Sequence, residues 1–147
     1  MSQLTNYGEN KFADYIRGQG MSLASSFSLA LLTAATESSF TEVSWTGYAR
    51  QTVARSLTAW SGTQFAGTTL PSTGTSHQTS NNAAVDFGVV GSGGSATISH
   101  VGLFDGANMF AYSQLSAPMA VTEGDLVSVV AGAIVWTLGQ TGGLSDY

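Results

Sequence analysis

The stretch from residue 96 to residue 138, ATISHVGLFDGANMFAYSQLSAPMAVTEGDLVSVVAGAIVWTL, constrains the fold more than any other part of the chain. Its apolar runs are separated by three turn-forming groups: Gly106-Ala107-Asn108, Ala117-Pro118 and Glu123-Gly124-Asp125. Short apolar runs bounded this way predict consecutive antiparallel strands. Residues 126–138 are apolar on both parities, which predicts one strand covered on both faces, in the middle of a sandwich.

Upstream the pattern changes period. Residues 6–17 predict a short helix, with Asn6 as N-cap and Glu9 where a capping-box carboxylate would reach back. Arg17 in the last turn and Gly18 beyond it form the stop signal. Phe12, Tyr15 and Ile16 share one face of that helix. So short a helix does not hold alone, and its aromatic face is predicted to dock on the sheet or on a neighbouring subunit. Residues 25–34 predict the first strand, because Phe27, Leu29 and Leu31 alternate with Ser28 and Ala30. The overlapping segment 21–35 also resembles the apolar region of a signal peptide. Its alternation and its position behind a helix favour the strand.

Residues 41–55 predict a long second strand, with Val43, Trp45, Gly47, Ala49 and Val53 on one parity and Thr46, Tyr48, Arg50 and Thr52 on the other. Gly47 inside it predicts a bulge or a close backbone approach. Residues 57–65 predict a third extended piece around Trp60. Residues 67–82, GTTLPSTGTSHQTSNN, predict a long polar surface loop. A strand through Val85 and Phe87 over residues 82–90 and a tight turn at 91–94 lead into the opening stretch. About eight short strands without interleaved helices predict an all-β domain. The expected architecture is an antiparallel β-sandwich, jelly-roll-like, with a short N-terminal α-helix. At 147 residues the chain is long enough for one core, so one domain is expected over residues 1–147.

Charge narrows the function. Only 9% of residues are charged, where a soluble domain usually carries about a quarter. The net charge is −5, and the only cations, Lys11, Arg17, Arg50 and Arg55, all precede Ser56. A nucleic-acid partner or an anionic membrane surface would need more cations than this. No apolar segment is long enough to cross a bilayer as a helix. A surface rich in Ser, Thr and Gly suits one that neighbours cover, or one that gives proteases little to hold. With no cysteine there is neither a disulfide framework nor a thiolate metal site.

Signals for chemistry are weak throughout. His77 lies in the polar loop without specified partners, and His100 sits on a strand as a hydrogen-bonded packing residue would. There is no His pair at metal-ligand spacing and no GxSxG. The glycines at 91–94 lack the lysine and the helix of a phosphate loop. No spacing pairs Asp86, Asp105, Glu123 and Asp125 as a glycosidase would need, and the carboxylates at 105, 123 and 125 read as turn chemistry. The expectation is therefore no enzyme, no cofactor and no metal. Trp45, Tyr48, Trp60, Tyr112 and Trp136 could form a carbohydrate platform, but a core or interface role is favoured.

Several segments in order, NYGENKFADYI, LALLTA, TEVSWTGYARQTV, ISHVGLFDGANMFAYSQLSAP and VTEGDLVSVVAGAIVWTL, resemble a family of small tailed-bacteriophage virion proteins. These are often labelled tail fibre proteins, and similar small β-folds serve as capsid decoration (cement) proteins. The resemblance covers most of the chain apart from the 67–82 loop and the tail. It implies a structural protein of the phage particle working in many copies, as a homo-oligomer (trimer or dimer). Its partners would be the major capsid protein or other virion proteins. The compact chain, without a repetitive shaft, favours decoration over a tail fibre that touches host glycans. The expected interface residues are Tyr7, Phe12, Tyr15, Ile16 and Arg17 on the helix, with Tyr48 and Arg50.

Overall fold

A computed structural model describes residues 2–62, 71–73 and 77–137. The strands and helix, in chain order, are β1 (Ser2–Leu4), α1 (Asn6–Ile16), β2 (Ser26–Ala35), β3 (Phe40–Glu42), β4 (Gln51–Ala54) and β5 (Trp60–Gly62). Then come β6 (Gln78–Asn81), β7 (Val85–Val89), β8 (Ser95–Asp105), β9 (Asn108–Thr122), β10 (Leu126–Val129) and β11 (Val135–Thr137). All pairings are antiparallel. The main sheet runs β1-β9-β8-β2-β3, with β4 also on β2, and two smaller sheets, β10-β7 and β11-β6-β5, supply the facing residues of the core. The expected all-β, antiparallel, sandwich-like class is what the chain adopts.

The β8–β9 hairpin is the spine, and Gly106 opens its two-residue loop with φ 61°, the conformation glycine supplies at that position of a hairpin turn. The turn expected at Ala117-Pro118 does not form. The register jumps from Ile98↔Met119 to His100↔Gln114, so residues 115–118 bulge out of a strand that continues past them. Pro118, lacking an N–H, sits in that unpaired bulge at no cost to the ladder.

β2 is buried on both faces, which its alternating pattern alone does not reveal. Phe27, Leu29 and Leu31 join the main core with Val101, Leu103, Phe110, Val85, Phe87, Val127, Ile134 and Trp136. Ala30 and Leu32 belong to a second cluster on the opposite face with Phe104, Met109 and Tyr112. That outer face has its own cover. The β2–β3 hairpin folds back across it: the Phe40 ring meets the Phe104 ring edge-on at 5.0 Å, and the Glu37 carbonyl accepts from the Asn6 N–H at 3.0 Å.

Three expectations are corrected here. Residues 41–55 are not one strand. β3 and β4 both pair with β2, and the chain between them leaves the sheet edge so that Trp45 can enter the main core. Gly47, at φ 86°, belongs to the turn of that excursion rather than to a bulge. Room for it comes from the glycine turn, because a Cβ on Gly91 would lie 2.0 Å from the Thr46 carbonyl oxygen.

The long polar loop expected at 67–82 yields its last residues to β6. Asn81 there is 2% exposed, donates to the Ala83 and Val130 carbonyls and accepts from Ile134 N–H. Residues 67–70 and 74–76 of that loop, and residues 63–65 of the third extended piece, lie outside the described residues. Finally, the described part of 126–138, which ends at Thr137, forms two strands, β10 and β11, joined by a turn that Asn81 holds. Leu126 is 66% exposed, so the run is not covered on both faces.

β1 had no sequence signal. It closes the edge of the main sheet on β9, and the Ser2 hydroxyl donates to the Val135 carbonyl of β11 at 2.9 Å. Among the described residues no helix is long and apolar enough to cross a membrane.

Candidate functional site

α1 is welded to the hairpin at one end and free at the other. Its N-cap is Thr5, not Asn6: the Thr5 hydroxyl accepts from Gly8 N–H at 3.2 Å and also bonds the Met109 and Phe110 carbonyls of β9. The helix lies so close that a Cβ on Gly8 would stand 2.3 Å from the Phe110 carbonyl oxygen. Tyr7 donates to Asp105 Oδ2 at 2.6 Å, and Lys11 Nζ lies 5.2 Å from the Tyr7 ring centre. That hydrogen bond to a carboxylate, with some burial, pushes the Tyr7 phenol above its usual range. Phe12 packs against Phe110, ring centres 6.2 Å apart, and Phe110 against Phe27 at 5.9 Å.

The last turn is different. Tyr15 is 61% exposed and Ile16 84%, so the face expected to dock through Phe12, Tyr15 and Ile16 buries only Phe12. The i, i+3 and i+4 spacing was sound, but docking at Gly8 aims the buried stripe at Tyr7 and Phe12 and leaves the last turn outside. Arg17 there makes a 3.3 Å surface pair with Asp14.

Tyr48 and Arg50 meet at Glu42, with Tyr48 packed on the main core and Arg50 over the second cluster. Arg50 Nε lies 3.0 and 3.1 Å from Glu42 Oε1 and Oε2, with Nη2 2.8 Å from Oε2. Its guanidinium carbon also sits 3.7 Å from the Phe104 ring centre, a stacked cation–π contact. Tyr48 donates to Glu42 Oε1 at 2.8 Å and accepts from Leu31 N–H at 3.0 Å. Burial pushes its phenol far above the usual range. Both side chains are thus engaged within the chain, as are Tyr7 and Phe12. Of the seven expected interface residues, Tyr15, Ile16 and Arg17 present open surface together.

The residues considered for chemistry have structural work. Asp105 ties three segments, accepting from Tyr7 and from Ala24 N–H at 2.8 Å, which is more than the turn role expected of it. Asp86 accepts from Gly88 N–H and Asp125 from Thr122 N–H, both local turn bonds, while Glu123 accepts from Gly93 N–H and so ties two turns thirty residues apart. Ser99 Oγ donates to the Thr33 carbonyl at 2.7 Å, so toward His100 Nδ1, also 2.7 Å away, it is left to accept. That proton arrangement is the reverse of a histidine activating a serine nucleophile. Burial holds His100 below the ordinary imidazole range.

Among the described residues no three His, Cys, Asp or Glu side chains gather as a metal site. The tryptophans offer no platform. Trp45 and Trp136 are buried in the main core, and Trp60 donates its indole N–H to the Ala54 carbonyl. Tyr112 is buried in the second cluster.

One surface carried no sequence signal. In the two-stranded sheet, Val89 and Leu126 are cross-strand partners and are 56% and 66% exposed, with Asp86↔Ser128 beyond them on the same outward side. Alternation would have found it had residues 126–138 not read as apolar throughout. Residues 3–137 of the chain match the family model described as "Podophage GP4 fiber I protein gp80". No curated protein matches the chain.

Proposed function

We propose that this chain, which belongs to the Podophage GP4 fiber I protein gp80 family, is a fibre-type subunit of the phage particle that works through contacts with other virion proteins and performs no chemistry. As a member of that family it is a structural protein of the phage virion. The observation that carries the finer reading is the family match over residues 3–137, whose description favours the fibre over the capsid shell. The open last turn of α1 supports a contact role: an exposed Tyr, Ile and Arg in a row are the residue types that anchor protein interfaces. We take Tyr15, Ile16 and Arg17 as the contact, and Tyr7, Phe12, Tyr48 and Arg50 as the residues that hold it and the sheet in place.

Decoration of the shell is the competing placement. Antibody labelling of intact virions separates the two: label confined to the tail vertex is expected, and label spread over the capsid would overturn the fibre reading. Deleting residues 1–18 would not test the contact cleanly, since it also removes β1, the Thr5 cap and Phe12. Ile16→Asp is the sharper probe, with virion incorporation reduced about tenfold as the expected result.

A further inference from the structure

We infer that the open turn of α1 docks on the outward face of β7–β10 of a second copy of this chain, a head-to-tail contact between unlike surfaces. The inference rests on the reading of Tyr15, Ile16 and Arg17 as a contact, and it names their partner. The two surfaces are both apolar and are complementary in charge. On the sheet side, Val89 and Leu126 lie directly opposite each other and exposed, with Val130 exposed at the end of β10. Asp86 stands on the same outward side, and the Glu123-Gly124-Asp125 turn adjoins it through the Val90 and Gly93 backbone bonds.

No lysine or arginine follows Arg55 in the sequence, and neither ion pair among the described residues involves these three carboxylates. This face is therefore apolar, acidic and uncompensated. On the helix side the side chains beside Tyr15 and Ile16 include Arg17, 71% exposed. Arg50 is committed to Glu42 and Arg55 to the Leu23 and Ala24 carbonyls, so the helix carries the cations still available to a partner. Its surface pair with Asp14 is of the weak exposed kind that a partner carboxylate can displace.

An apolar contact would supply the affinity, and the charges its orientation. The two surfaces lie on different elements of one chain, so each copy offers one of each. The contact either closes into a ring, of which a reciprocal twofold pair is the smallest, or runs on from copy to copy as a filament.

Sedimentation velocity on the full-length protein and two variants tests this. Ile16→Asp disables the helix side and Leu126→Asp the sheet side. Both positions are largely exposed, so an unchanged melting temperature serves as the folding control. Wild type is expected to self-associate with rising concentration, less so at high salt, and each variant about tenfold or more weakly. Mixing the variants restores one live contact, because one keeps its sheet face and the other its helix. The expected product is a 1:1 complex that grows no further.

A monomeric wild type, a variant that associates like wild type, or a mixture that stays monomeric would each overturn the inference. Labelling at the tail vertex is read separately, so a fibre position with a monomeric protein sinks this inference and leaves the proposed function standing.

Discussion

β2 presents two leucines, Leu29 and Leu32, on opposite faces of the same strand, and neither has measurable exposure. Leu29 faces a core to which residues of both small sheets contribute. Leu32 is one of a cluster of five buried residues covered by its own hairpin and by Arg50. Burial is the same, yet its origin differs. The first core is closed by strands far apart in sequence, the second by a fold-back within residues 26–50. A buried position therefore says little about how rigidly its surroundings are held.

Truncating each leucine to alanine should break the equivalence most visibly. Leu29→Ala is expected to cost about 4 kcal/mol, because walls from two layers cannot collapse into the cavity. Leu32→Ala should cost nearer 2 kcal/mol, since the hairpin above it can settle. Denaturant midpoints at an unchanged m-value would measure both. Equal costs would mean that the lid is as stiff as the core.

Arg50→Lys comes next, at about 1–2 kcal/mol, because lysine keeps the charge and loses both the fork to Glu42 and the stack on Phe104. The same substitution should lower the cost of Leu32→Ala and leave that of Leu29→Ala unchanged, a non-additivity that a double-mutant cycle reads directly.

The smallest effect is one of pH. Burial holds the His100 imidazole of the outer face below its ordinary value, so the unfolded chain gains its proton first as pH falls through about 6.5. The contribution of His100 is thus fully present above that pH. It declines as pH falls toward the folded value and levels off below it. His100→Gln should flatten this part of the melting-temperature profile, and a profile that stayed as steep would assign the slope to other groups.

Legibility in the sequence followed the range of the interaction. The β8–β9 hairpin, the strands through Phe27 and Phe87 and the extent of α1 were readable, because alternation, turn residues and caps act over a few positions. The helix start missed by one residue, since Thr5 caps through bonds that also reach β9, and no local pattern encodes those. Tyr15 and Ile16 were expected to dock on the sheet or on a neighbouring subunit, and apolar spacing marks a stripe without saying which of the two covers it.

Residues 41–55 alternated as a strand would, but Trp45 is drawn off the sheet by a core made of residues up to Trp136. Leu126 read as core for the same reason, its run being apolar on both sides of a turn that Asn81 fixes from elsewhere. Of the site, the helix was legible. The β7–β10 face was not, because it exists only once two distant strands pair.

The Ser2 bond to Val135 has a consequence for how the chain is made. It joins positions 133 residues apart and ties the edge strand of the main sheet to the last described strand. During synthesis β1 emerges long before its partners on β9 and β11. The main sheet therefore stays open at that edge until β9 and β11 have been made. A topology so dominated by distant pairings folds slowly, and until those strands arrive β1 has no partner to pair with.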